Sequence, residues 1–209
     1  DPIRGAGANF VSNADGITNT GFEIELYYAA TDRLTLSGNF SYTETEYGED
    51  YFVFTVDDPI NPVPVFGTFT QGFVSAQVTD PSQASDYTVN LKGGPLKGIP
   101  EEKATIRVSY EQDTRFGPLY YLLSHSYTGD FSASGIQRPL DRIDSRETTN
   151  LNISWYSQDG NLSLRAYVDN LFDNDNYYAL STGDHETNYR KSVTALPPRV
   201  MGLDIRYRF

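Results

Sequence analysis

The sequence contains no cysteine, one methionine, one tryptophan and two histidines in 209 residues. Without cysteine there is no disulfide framework and no thiolate metal site, and nothing can be read about redox compartment. Positive charge is scarce: 16 Lys and Arg stand against 28 Asp and Glu, a net charge of −12. A nucleic-acid binder needs a basic face, so that partner is excluded. Long hydrophobic runs are missing too. No stretch reaches the roughly 18 apolar residues of a membrane-crossing helix. A crossing strand is not excluded, because it needs only about 9–11 residues of alternating character. The first residues, Asp1-Pro2-Ile3-Arg4, carry no signal-peptide core. An exported protein would therefore be read here as a mature form or a fragment.

What is abundant is aromatic: 16 Tyr and 12 Phe in a chain that is polar on average. Period-2 alternation reconciles the two. Phe22, Ile24, Leu26 and Tyr28 alternate with polar residues, as do Leu34, Leu36, Phe40 and Tyr42. Ala104, Ile106, Val108 and Tyr110 follow, then a less clean run from Leu119 to Tyr127. Leu151, Ile153 and Trp155 come next, then Leu162, Leu164, Ala166 and Val168, and finally Met201, Leu203, Ile205, Tyr207 and Phe209. The pattern predicts about seven strands long enough to cross a bilayer, in an all-β chain.

Alternation also fits a soluble sandwich, so the connections decide. Three are tight: Ala30–Arg33, Gln112–Arg115 and Ser157–Gly160. They alternate with three long ones, near 47–101, 129–145 and 173–198. A transmembrane antiparallel β-barrel has this order, with short periplasmic turns and long outer loops. Arg107, Arg165, Arg206, Arg208, Glu23, Glu25, Asp169 and Asp204 share faces with Ser, Thr and Asn. Arg or Lys on a lipid face near the midplane costs roughly 2–4 kcal/mol. The charged face is therefore expected to look into the lumen, with Tyr28, Tyr42, Tyr110, Trp155 and Tyr207 at the membrane interfaces.

Three stretches resemble the TonB-dependent outer-membrane receptors. They are Asn19-Thr20-Gly21-Phe22-Glu23-Ile24-Glu25-Leu26 leading into Asp32–Asn39, the run Asn170-Leu171-Phe172-Asp173, and the last strand, which opens Pro198-Arg199 and closes on Phe209. The resemblance spans most of the chain except Tyr47–Ser85. It implies that 1–209 is the C-terminal portion of a 22-stranded barrel and gives about its last seven strands. The N-terminal plug and the energy-coupling box would lie outside this chain. The implied partners are the remainder of the barrel and its plug, the TonB complex, outer-membrane lipid and lipopolysaccharide, and the barrel-assembly machinery. That machinery would read Ile205, Tyr207 and Phe209 as its signal. The implied location is the outer membrane of a Gram-negative bacterium.

Candidate ligand contacts fall in the loops. The first loop carries Tyr47, Tyr51, Phe66 and Phe69 among Pro59, Pro62 and Pro64, so it can present bulky groups at low entropic cost. Arg138 and Arg142 in the second loop, and Tyr177, Tyr178, His185, Tyr189 and Arg190 in the third, could meet an anionic ligand such as a ferric chelate. Packing of the loop on itself, or a short hairpin, is the plain alternative for the aromatics, and ordinary surface charge for the rest. Glu44, Glu46, Glu49, Asp50, Asp57 and Asp58 lack the spacing of a cation cage and read as a solvated or lipopolysaccharide-facing rim. Asp173-Asn174-Asp175-Asn176 lacks the glycine and distal glutamate of a calcium loop. No metal site and no cofactor are expected. Neither His125 nor His185 has a Ser or carboxylate at a diagnostic spacing, so no catalytic residue is assigned. The expected function is import of a scarce nutrient, first of all a ferric siderophore, with TonB-supplied energy. A carbohydrate, cobalamin or an aromatic compound is an alternative cargo. A passive or structural barrel, or an outer-membrane enzyme, is the alternative class.

Overall fold

Alternating sequences extend because strand side chains point to opposite faces, so one face can be apolar and the other wet. The computed structural model describes residues 14, 16–54, 88–135, 139–182 and 190–209. Its strands, in chain order, are β1 (Ile17–Ala29), β2 (Leu34–Tyr47), β3 (Phe52–Phe54), β4 (Thr88–Asn90), β5 (Glu102–Thr114), β6 (Gly117–Thr128), β7 (Phe131–Ser132), β8 (Arg142–Ile143), β9 (Arg146–Tyr156), β10 (Leu162–Asp169), β11 (Tyr177–Thr182), β12 (Lys191–Ala195) and β13 (Val200–Tyr207). Seven form one antiparallel sheet in the order β1-β2-β5-β6-β9-β10-β13. These are the strands predicted from alternation. The other six make three small hairpins, β3-β4, β7-β8 and β11-β12, inside the long connections. None of the three was predicted as such; a short hairpin was only an alternative for the first loop.

Register carries one apolar face across the whole sheet. Leu36 stands opposite Val108, Val108 opposite Leu123, Leu123 opposite Leu151, Leu151 opposite Val168, and Val168 opposite Met201. Aromatic residues bound this band at both ends. Tyr28, Tyr110, Tyr121, Trp155 and Tyr207 lie toward the tight turns, and Phe22, Phe40, Tyr42 and Tyr127 toward the long connections. Phe22 and Phe40 are 6.0 Å apart, as are Tyr110 and Tyr121. From Leu34 to Tyr42 the strand covers about 27 Å, which at a tilt of roughly 40° gives about 20 Å of height, near the apolar band of a bilayer. Within the height of this band, the opposite face carries the charges. There Arg165 donates twice to Asn152 Oδ1, at 3.1 and 2.7 Å, lies 3.7 Å from Asp204 and stacks over Tyr167.

A single sheet cannot bury both of its faces. Leu26 is 63% and Leu203 64% exposed, and the buried apolar residues Tyr47, Leu91 and Ile143 all sit at the long-connection end. A contiguous apolar face of this kind needs a cover, and acyl chains supply it in a transmembrane wall. No helix of the described residues is long and apolar enough to cross a membrane, which says nothing of strands.

The tight turns are locally coded. Thr31 Oγ1 accepts from the amides of Arg33 and Leu34. Gly117 has φ 124°, and a Cβ there would strike the Tyr156 carbonyl. Ser157 and Asp159 side chains accept from Leu162 and Asn161 amides. Arg33 pairs with Asp113, and Gln158 Nε2 donates to Arg115 O, so neighbouring turns are clipped together. At the C-terminal end, β13 stops at Tyr207 rather than running regularly to Phe209. The Arg208 amide still bonds Asn161 O at 2.9 Å, and the Phe209 ring meets Tyr207 edge-on at 5.1 Å.

Candidate functional site

All three long connections leave the same end of the sheet, because each follows a pair of antiparallel strands joined by a tight turn. Asparagines tie them to the wall. Asn170, 4% exposed with φ 51°, donates from Nδ2 to Asn174 O and Pro197 O, and its Oδ1 accepts from the Asn174 amide. Asp173, φ 58°, accepts from the Arg199 amide at 2.8 Å and faces the Arg199 guanidinium. The Asn-Leu-Phe-Asp run and the Pro-Arg opening of β13 are therefore two halves of one corner. Asn174 Nδ2 donates to Glu147 O, and Asn176 Nδ2 to Ser145 O and Asp144 O, which fixes the third connection to the start of β9.

The second and third connections are also joined higher up. Thr182 donates to Asp141, which is 1% exposed, and Lys191 Nζ donates to Leu140 O at 2.6 Å. Between them lies Arg146. Register places it opposite Thr128, with Thr148 and Asn150 on the charged, inward face. Its guanidinium carbon is 5.5 Å from the Phe131 ring and 5.5 Å from the Tyr178 ring. Its Nη1 is buried without a hydrogen-bond partner. The first connection joins the same assembly, because the Gly98 amide donates to Ser132 O.

Of the expected contacts, Tyr47 and Tyr51 are brought together, stacked at 5.6 Å and 9°. Tyr47 ends β2, is buried, and exchanges backbone bonds with Gly93 and Gly94, so it packs the foot of the first connection. Arg142 is neutralised by Asp130 at 2.7 Å. Tyr177 and Tyr178 begin β11 and are 46% and 60% exposed. Phe66, Phe69, Arg138, His185 and Tyr189 lie outside the described residues, as do Asp57 and Asp58. Glu44 and Glu46 leave the loop cluster in which they were read, because β2 extends through them. Asp50 is held below the usual aspartate range by hydrogen bonds from Asn90 and Lys92. Among the described residues no group of three or more His, Asp or Glu could hold a metal.

Two sequence readings change. Arg146 and Phe131 were not singled out, since their meaning depends on rings arriving from two different connections. His125, which sequence spacing leaves alone, meets Thr149 Oγ1 at 2.9 Å and Glu147 at 3.4 Å. Register supplies both partners, and all three lie on the outward face at the edge of the apolar band.

With this geometry in place the comparisons are direct. A family model described as TonB dependent receptor-like, beta-barrel, matches residues 1–171. The chain belongs to the TonB-dependent receptor β-barrel family. Solved receptors share the fold. The ferric yersiniabactin uptake receptor FyuA from Yersinia pestis superposes with a TM-score of 0.64 at 18% identity, over 92% of this chain and 24% of that one. The siderophore receptor PiuA from Acinetobacter baumannii gives 0.62 at 13% identity, over 91% and 22%. The ferric citrate transporter FecA gives 0.59 at 16% identity, over 92% and 24%. The TonB-dependent receptor chain described here thus spans about a quarter of the length of those proteins. No curated protein sequence matches it.

Proposed function

We propose that this chain is the C-terminal wall of an outer-membrane receptor that imports a scarce nutrient, a ferric siderophore, with energy delivered through TonB. In this reading the protein is a receptor and not an enzyme. Its tight turns face the periplasm and its long connections the exterior. A plug and the remaining strands, carried elsewhere in the whole protein, fill and close the barrel. The carrying observation is that one end of the wall bears all three long connections, tied into an assembly of aromatic and basic side chains at the inward face. A passive barrel has no need to build such an assembly at its mouth. The siderophore assignment draws support from structural relatives that include a ferric yersiniabactin uptake receptor and a ferric citrate transporter. Ile205 and Tyr207, outward on β13, with Phe209 after them, would serve as the recognition segment for barrel assembly.

The test is iron uptake by the full receptor in a Gram-negative strain lacking it. Under iron limitation, the receptor gene should restore growth and radio-iron accumulation with at least one ferric siderophore of a chemically diverse panel. Deleting TonB should abolish that accumulation. Uptake that persists without TonB would overturn the energised mechanism.

A further inference from the structure

Arg146 stands out because its surroundings satisfy its shape and leave its charge unanswered. Guanidinium groups stack on aromatic faces and keep their N–H donors in the plane between the rings, directed outward. Phe131 and Tyr178 supply those faces at 5.5 Å each. A buried donor ordinarily has a partner; Arg146 as a residue is half-buried, and its Nη1 is closed to solvent. Yet Arg146 Nη1 has no partner, and among the described residues no carboxylate pairs with it. Arg142, in the second connection, already has Asp130. The two rings differ in exposure. Phe131 is half-buried in β7, whereas Tyr178 is 60% exposed on β11. Tyr178 is therefore the ring more open to displacement.

We infer that Arg146 is an anion-binding residue of the receptor mouth, covered in the ligand-free state by the ring of Tyr178. This rests on the import reading above and deepens it. The cargo it fits is an anionic metal chelate presenting carboxylate or phenolate oxygens, which a planar guanidinium grips with two parallel hydrogen bonds. On binding, Tyr178 swings off the guanidinium and the chelate oxygen takes the vacant position at Nη1. The position on β9 suits the task, since β9 is an inner strand of the sheet and holds Arg146 firmly. A lysine could supply the charge but not the planar fork.

The experiment uses the full-length receptor in detergent, with ferric citrate as an anionic carboxylate chelate and a cationic ferric trihydroxamate as control. Affinities and association rates are measured for the wild type, Arg146→Gln, Arg146→Lys and Tyr178→Ala, with melting curves for each. The wild type should bind ferric citrate more tightly than the cationic chelate. Arg146→Gln should weaken ferric citrate by about 10- to 100-fold, the scale of a charge-assisted hydrogen bond, and leave the control unchanged. Arg146→Lys should recover part of the loss. Tyr178→Ala should bind ferric citrate at least as tightly as wild type and associate faster, because the cover is gone. Failure of the wild type to bind the anionic chelate would overturn the inference. So would unchanged affinity in Arg146→Gln, including the case where its melting temperature falls, which would mark Arg146 as a strut between two connections. Uptake in cells separates this from the parent reading. Normal import of an anionic chelate by Arg146→Gln removes the inference and keeps the receptor, whereas a wild type that imports no chelate removes the import reading.

Discussion

Leu122 and Leu123 offer a matched pair for testing which face of the sheet meets lipid. They are adjacent in β6, identical in chemistry, and each 39% exposed. Register separates them: Leu123 lies between Val108 and Leu151 on the apolar face, and Leu122 between Ser109 and Asn152 on the charged one. Replacing either by arginine removes the same side chain, so that part of the cost cancels in the comparison. At position 123 the guanidinium enters the apolar band. Glu147, the charge on that face toward the long connections, stands opposite Tyr127, four residues along the strand and about 13 Å away. The depth-dependent penalty for arginine near a bilayer midplane then applies, roughly 2–4 kcal/mol. At 1.36 kcal/mol per decade this is a loss of about 30- to 900-fold in the folding equilibrium. At position 122 the new charge meets a wet, polar face. Its opponents are Arg107, opposite the nearby Ser124, and Arg165, which is hydrogen-bonded to the facing Asn152, and each like-charge repulsion in a solvated lumen is worth about 1 kcal/mol or less. The assay is urea unfolding of the full receptor in lipid vesicles, followed by tryptophan fluorescence and by the gel shift of folded barrels. Leu123→Arg should lose at least about 2 kcal/mol more than Leu122→Arg. Equal losses, or the reverse order, would refute the face assignment and with it the placement of Arg107, Arg165, Asp204 and Arg206 in the lumen.

Three other perturbations follow from particular contacts. Asn170→Ala removes the acceptor and both donors of a buried corner and places alanine at a positive φ, so a loss of about 2–4 kcal/mol is expected in the same urea assay; Asn170→Gly should cost less because it keeps the backbone relaxed. Gly202→Ala drives its Cβ into the Tyr167 ring that lies over the glycine. About 1–3 kcal/mol should be lost, and Tyr167→Ala should relieve it, giving a double variant less impaired than the sum. Asp159 is held below the usual aspartate range, first by the Ser157 hydroxyl and then by the Asn161 amide. A depressed folded value means the turn's contribution is complete above the ordinary aspartate pKa of about 3.9 and is lost as pH falls through the folded one. Asp159→Asn should therefore flatten that acid-side decline, and an unchanged profile below about pH 4 would count against the turn geometry.

The wall was legible in the sequence because period 2 is a local signal. Leu34, Leu36, Phe40 and Tyr42 announce β2 without knowledge of what lies beside it, and Thr31 or Ser157-Gln158-Asp159-Gly160 announce the turns. The ends of the strands were less legible. β2 continues through Glu44 and Glu46 to Tyr47, where outward charges past the apolar band break the pattern while backbone pairing goes on. The hairpin of the second connection was illegible for a similar reason: β7 and β8 are two residues each and cannot show a period. The candidate site was legible in composition but not in arrangement. Tyr178 drew notice as an aromatic in a loop, yet the residue it covers is a strand arginine 32 positions earlier, brought under it by Asn174, Asn176 and Thr182. Likewise His125 acquires Glu147 only through strand pairing.

The unbroken register of the seven-stranded sheet has a consequence for how such a receptor can change over time. All six pairings run without a bulge, so the two faces are defined by odd and even position alone. Inserting or deleting one residue inside a strand would swap oil-facing and water-facing side chains from that point to the next turn. Length can therefore vary within the wall only in steps of two, while the long connections accept any number. Descendants of one ancestral barrel would keep nearly constant strand lengths and diverge through insertions at the rim. The membrane thereby conserves the part of the molecule it touches and leaves the part facing the cargo free to drift.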